Sequence, residues 1–349
     1  MLRKRITIYD LAKELGISAS YISKALNNHP SVSREVIEKV RKKAIELNYK
    51  LNSHAANLRQ GSSKTIGVIV PTVNHSFFSE AIAGIEEICF QNNHSLIICQ
   101  SHDSFKQECA AIDTLIHQNV DCILISVSAE TQSSSHLETI KDHYIELIQF
   151  DRCLDKLNSY KISNDNKEVS YNVAKKLIQQ GYKKIAFLGG PRHLTIFKLR
   201  KEGFLMAIKE AGLVIPYNFI TEDVLPKSKA AEVAAELLSL KEPPDAFFTV
   251  SDLQSLAVLQ IAQSYGIKVP EQLGVFGFAN EAFADIIKPS LSSVDQKGKE
   301  LGKSAAKIYF ETILKSHGTS GKDKEEIIKS EIIIRESSVR VPVNDMSII

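Results

Sequence analysis

Seven short apolar runs, I-G-V-I-V, S-L-I-I-C, D-C-I-L-I, I-E-L-I-Q-F, K-K-I-A-F-L, D-A-F-F-T-V and L-G-V-F-G-F, recur between residues 66 and 278 with longer amphipathic stretches between them. Alternation of this kind specifies buried parallel strands joined by helices that cover both faces of a sheet. Two such sheets fit the length of the segment. Ligands of open parallel sheets meet the carboxyl ends of the strands, so the residues just after each run are the candidates for binding.

The first 60 residues follow a different pattern. Residues 7–27 read T-I-Y-D-L-A-K-E-L-G-I-S-A-S-Y-I-S-K-A-L-N. Thr7 precedes an apolar stripe of Ile8, Leu11, Ala12 and Leu15, and Asp10 stands three residues after Thr7, which is the spacing of a capping box; Gly16 ends this helix. Ser18 caps a second helix with Ile22, Ala25 and Leu26 inward and Ala19, Ser20, Lys24 and Asn27 outward. Ser33 caps a third helix, whose Val36, Ile37, Val40, Ala44 and Leu47 complete a small core. Two short helices about a glycine turn, the second slim on its outer face, suit insertion of that second helix into the major groove of DNA. Charge agrees with this reading. Residues 1–65 carry 13 Lys and Arg against 5 Asp and Glu, whereas the rest carry 30 against 36, so a basic head sits on an acidic body.

Several classes of function have no support. The five cysteines, Cys89, Cys99, Cys109, Cys122 and Cys153, lack C-x-x-C spacing and mostly fall in apolar runs, as expected of reduced, buried thiols in a cytoplasmic protein. No apolar run is long enough to span a bilayer, and M-L-R-K-R-I-T leads into a polar amphipathic helix, so neither secretion nor membrane insertion is expected. Gly189-Gly190 lacks the G-x-G-x-x-G spacing; Gly302-Lys303-Ser304 imitates a phosphate loop but has Lys297 where its first glycine should stand. No G-x-S-x-G, no H-E-x-x-H and no clustered Cys/His set occurs among the ten histidines. The expectation is no catalytic residue, no metal and no cofactor.

The elements D-L-A, G-I-S, S-K-A-L-N, L-N-Y and A-x-x-L-R, from Thr7 through Gly67, resemble the head and hinge of the lactose-repressor (LacI) family of bacterial transcriptional regulators, and the resemblance extends over nearly the whole chain. It implies a small all-α helix-turn-helix head with a hinge helix, joined to a two-lobed α/β periplasmic-binding-protein-like core with parallel sheets. The implied boundaries are 1–50 for the head, 51–64 for the hinge helix and linker, 65–340 for the core and 341–349 for a tail. Within the core, lobe one comprises 65–163 and 297–329, and lobe two 164–292 and 330–340. By the same resemblance Thr7, Tyr9, Ser18, Asn27 and Ser33 contact phosphates, Ala19, Ser20 and Lys24 read bases, and Ala55 with Leu58 enters the minor groove from the hinge. Leu51 stands where the family often has proline.

His75, Phe77 and Phe78 follow the first apolar run, where aromatic rings can stack on the apolar face of a sugar; Asp151 and Arg152 follow I-E-L-I-Q-F, and Arg200 lies in R-K-E-G-F. A carboxylate and a guanidinium facing a cleft suit paired hydrogen bonds to vicinal hydroxyls, and an interlobe ion pair is the other use of the same two groups. The resemblance assigns Asp151, Arg200, Ser251, Asp252 and Gln296 to the effector. The frequent Asn-Asp pair is Ser251-Asp252 here, and the usual acidic position after G-F is Ala279, followed by Asn280, which is expected to face the effector. The expected protein is a cytoplasmic, sequence-specific repressor whose operator affinity is set by a small molecule, a sugar or sugar derivative, bound between the lobes. A purine or a partner protein as effector is the alternative reading, and a stand-alone sugar-binding protein a further one. One recognition helix covers half a site, so a homodimer on a near-palindromic operator is expected. The tail has no leucine heptad to build a larger assembly.

Overall fold

The computed structural model describes residues 6–49, 62–315 and 324–340, which fall into two compact units divided after Ser63. In the first unit, α1 (Ile8–Leu15) begins with the expected capping box: Asp10 N–H donates to Thr7 Oγ1 at 3.3 Å, and Thr7 N–H donates to Asp10 Oδ2 at 2.8 Å. It ends at Gly16, whose φ of 66° is the left-handed conformation that a side chain would disfavour. Ser18 caps α2 (Ala19–Leu26) by accepting from Tyr21 N–H at 3.2 Å, and Ser33 caps α3 (Arg34–Glu46) by accepting from Val36 N–H at 3.4 Å. Leu11, Ile22, Ala25, Val32, Val40 and Ala44 form the buried centre. In a core this small, truncating Leu11 or Ile22 to alanine removes about 2–5 kcal/mol, a large share of any small domain's stability.

The second unit holds two parallel sheets. All seven apolar runs are strands: β1 (Thr65–Val70), β2 (Ser95–Gln100), β3 (Cys122–Ile125), β4 (Glu146–Phe150), β6 (Ile185–Leu188), β8 (Ala246–Thr249) and β9 (Gly274–Phe276). Among the described residues five further strands carry no such run: β5 (Tyr160–Asn164), β7 (Ile220–Thr221), β10 (Ser293–Asp295), β11 (Glu325–Ile328) and β12 (Glu331–Ile333). One sheet has the order β11-β5-β4-β3-β1-β2, and the other β7-β6-β8-β9. The antiparallel pair β10–β12, with Ser293 opposite Ile333, belongs to neither sheet. β11 returns the chain to the first sheet, next to β5.

Each sheet carries a helix pair locked by glycine. α4 (Ser76–Gln91) and α11 (Gly298–Lys307) approach so closely that a Cβ on Gly84 would lie 2.2 Å from the Lys299 carbonyl oxygen, and one on Gly302 would lie 2.0 Å from that of Ala81. The glycine of the false phosphate loop is therefore a packing residue. Gly203 plays the same part in the other lobe, where α8 (Thr195–Glu210) crosses α7 (Asn166–Gln179) with its would-be Cβ 2.1 Å from the Lys167 carbonyl oxygen. Cys89, Cys122 and Cys153 are buried and Cys99 and Cys109 half-buried, all as free thiols. Burial raises the Cys89 thiol to about 12, far from reactive thiolate. Among the described residues no helix is long and apolar enough to cross a membrane.

Candidate functional site

The carboxyl ends of both sheets open onto one cavity of about 360 Å³. The first sheet contributes residues that follow β1 (His75, Phe77, Phe78), β2 (Asp103), β3 (Ala129) and β4 (Asp151, Arg152). The second contributes Phe197 and Arg200 from α8, Asp223 after β7, Ser251 and Asp252 after β8, and Phe278 and Glu281 after β9, while Gln296 follows β10. The topology brings these loops together because every main strand in both sheets runs toward the cavity.

Two buried groups there have unused hydrogen-bonding capacity. Arg200 donates from Nε to Asn166 Oδ1 at 2.8 Å and from Nη1 to the Val250 carbonyl at 3.0 Å, with its guanidinium 3.6 Å from the centre of the Phe278 ring. Among the described residues Nη2 has no partner, and no carboxylate lies within ion-pairing distance. Burial without a counter-ion holds its pKa down to about 9, partly offset by the charge of Asp151 and worsened by Arg152. Asp151, in the left-handed conformation at φ 59°, accepts from Ser126 Oγ at 3.2 Å through Oδ2 only. Burial raises its pKa, against the pull of Arg152 and Arg200. Arg152 is paired with Asp103 and lies about equally far from the Phe78 and Phe197 rings, at 6.0 and 5.8 Å. Burial also lowers the pKa of His75, which stacks on Phe78.

Nine of the ten residues expected in the cleft line this cavity: His75, Phe77, Phe78, Asp151, Arg152, Arg200, Ser251, Asp252 and Gln296. Their engagement differs. Ser251 is the N-cap of α10 (Asp252–Ser264). Fully buried Asp252 accepts from Ser293 Oγ and Glu281 N–H, both at 2.7 Å, so it organises the wall instead of offering free oxygens. Burial pushes its carboxyl up to about 6. Asn280 does not reach the cavity. Ala279 and Asn280 take consecutive positive φ values, 115° and 51°, which turn the Asn280 side chain to accept from Arg335 Nη2 at 2.8 Å and bring Glu281 to the cleft. Glu281, Asp103, Asp223, Phe197 and Phe278 went unremarked in the sequence. The two phenylalanines carry no local mark that separates a cleft ring from a core ring.

In the head, Ser20, Lys24 and Asn27 are exposed and Ala19 half-buried along α2. Tyr9 is 74% exposed, so among the described residues its ring is largely uncovered. Thr7, Ser18 and Ser33 spend their hydroxyls on the three helix caps, leaving the first-turn amides of each helix ordered at the surface. Ala55 and Leu58 lie outside the described residues.

The lacI family model of bacterial regulatory proteins matches residues 7–52, and the periplasmic binding protein-like domain model matches residues 174–338. The HTH-type transcriptional repressor PurR of Vibrio atlanticus (strain LGP32) is 30% identical over 309 residues, spanning 88% of this chain and 92% of that protein. The chain belongs to the LacI family. Among solved structures, the lac repressor dimer bound to operator and the anti-inducer ONPF matches with a TM-score of 0.80 at 19% identity, over 96% of this chain and 100% of that one. The CelR–cellobiose complex matches with a TM-score of 0.72 at 20% identity, over 95% and 100%. As a LacI-family protein the chain is a DNA-binding transcriptional regulator, with a helix-turn-helix head and an effector-binding core.

Proposed function

We propose that this regulator is a cytoplasmic repressor without enzymatic activity, that it binds a near-palindromic operator as a homodimer, and that a carbohydrate or sugar derivative in the cleft controls it. One observation carries the effector class. Arg200 Nη2 and Asp151 Oδ1, a donor and an acceptor, are both unpartnered among the described residues on the wall of one cavity, and phenylalanine rings line the rest. A sugar offers what such a wall lacks: vicinal hydroxyls that donate to the carboxylate and accept from the guanidinium, and a C–H face for the rings. The cellobiose held by CelR, a protein of the same fold, supports the reading. The relative named above supports repression, and the operator-bound lac repressor dimer supports the assembly.

A nucleobase is the second reading, favoured by Phe77, Phe78, Phe197 and Phe278, which supply more aromatic surface than one pyranose face needs. Calorimetry against a panel of mono- and disaccharides and free nucleobases separates the two. A sugar that binds the wild-type chain and loses about tenfold or more in affinity with Asp151→Asn supports the first reading. Binding of a nucleobase alone overturns it.

A further inference from the structure

Glu281 links the lobes, and neither the cleft chemistry nor the family match gives it a role. Its Oε2 accepts from Ser76 N–H at 3.0 Å and from Ser76 Oγ at 2.7 Å, while Ala282 N–H donates to Ser76 Oγ at 3.1 Å. Ser76 opens α4 on the first sheet; residues 281–282 follow β9 of the second. The residue before the helix, His75, makes no side-chain capping bond, so the carboxylate that satisfies this helix start comes from across the cleft. A carboxylate at the positive end of a 16-residue helix is the favourable sign.

Glu281 is also held firmly from behind. Its own N–H is bonded to Asp252 Oδ2, and the adjoining Asn280 N–H donates to Ser293 Oγ at 3.0 Å. Asp252 closes the circuit by accepting from Ser293 Oγ. The carboxylate is thus presented by a braced loop, not by a free rotamer. A second cross-lobe bond, Thr195 Oγ1 to Asp155 Oδ2 at 2.7 Å, joins α8 to the loop that follows β4.

We infer that Glu281 is a positioning residue which clasps the two lobes together through Ser76, so that an effector meets a core already closed and the strength of the clasp sets the fraction competent to bind. The inference rests on the effector reading above. A lost clasp lowers apparent effector affinity by the fraction of closed cores.

The test needs no effector, so it stands apart from the identity of the ligand. Amide hydrogen exchange is measured on the full-length, effector-free protein for wild type, Glu281→Ala, Glu281→Gln, Ser76→Ala and the double alanine variant. A clasp predicts that Glu281→Ala speeds exchange about tenfold or more in the first turn of α4 and also in residues 152–158, which sense separation of the lobes at Asp155. Glu281→Gln, which keeps an acceptor oxygen, recovers part of the protection, and the double variant loses no more than Glu281→Ala alone. Exchange at the start of α10, capped within its own lobe by Ser251, stays unchanged and reports that the variants are folded. Faster exchange confined to residues 76–79 would make Glu281 a helix cap and nothing more, and overturns the inference. So does unchanged exchange at both places.

Discussion

Replacing Arg200 by methionine separates the cost of burying a charge from its use. The substitution keeps most of the side-chain volume against Phe278 and removes the guanidinium. Two consequences oppose each other. Asn166 Oδ1 and the Val250 carbonyl lose their donors, and charge-assisted bonds of this kind contribute roughly 1.5–3 kcal/mol each, so the loss is about 3–6 kcal/mol. Against it, the fall in the Arg200 pKa from 12.5 to about 9 corresponds to about 5 kcal/mol of electrostatic cost, which the methionine removes. The two nearly cancel. Urea denaturation should therefore find Arg200→Met within about 2 kcal/mol of wild type, while affinity for the effector identified by calorimetry falls by about one to two decades. A residue kept for structure predicts the reverse pattern. If the variant loses more than about 4 kcal/mol of stability while effector affinity is unchanged, Arg200 is a structural strut and the cavity chemistry argued from it is wrong.

Two further outcomes are expected. Asp252 binds its proton more tightly in the folded chain, at about 6 against about 3.8 unfolded, so between those pH values the native state holds more protons and stability falls as pH rises through the window. Relative to Asp252→Asn, wild type should lose about 2 kcal/mol of unfolding free energy between pH 4 and pH 7, and a difference that stays flat across that range would show that the carboxyl is not perturbed. The basic head predicts steep salt dependence: with about six phosphates neutralised by the operator-bound assembly proposed above, operator affinity measured by fluorescence anisotropy drops roughly a thousandfold between 50 and 200 mM salt, and a shallow slope would remove the charge argument.

Much of the architecture was legible because it depends on burial, and burial leaves a periodic trace. Strands buried on both faces must be apolar throughout, which accounts for six of the seven apolar runs; the seventh, β2, is a half-exposed edge strand that registered through its L-I-I-C run. β5 escaped because Tyr160–Asn164 alternates buried and half-buried residues, Y-K-I-S-N, next to the edge strand β11, whose own residues are mostly exposed. β7 is two residues long and β10 and β12 three each, too short for any periodicity to register. The caps of the head were legible for a related reason: a Thr, Ser or Gly at a helix end acts within four residues of sequence, and local chemistry survives without knowledge of the tertiary structure.

The cleft divides along the same line. Residues that follow a strand legible in the sequence could be placed by position, which is why His75 and Asp151 reach the cavity, whereas Ser251 and Gln296 were reached through the family resemblance. Asn280 could not, because its direction depends on a pair of left-handed backbone conformations at Ala279 and Asn280, and alanine gives no warning of a positive φ. That irregular turn has a chemical consequence. An acid at position 279 would lie on the cleft wall beside Phe278, whereas the acid of this chain comes two residues later and spends one oxygen on Ser76 of the opposite lobe. Glu281 therefore both lines the cavity and bonds across the lobes. Two consecutive positive φ values at 279–280 precede that acid, and Glu281, not His75, supplies the acceptor at the first turn of α4.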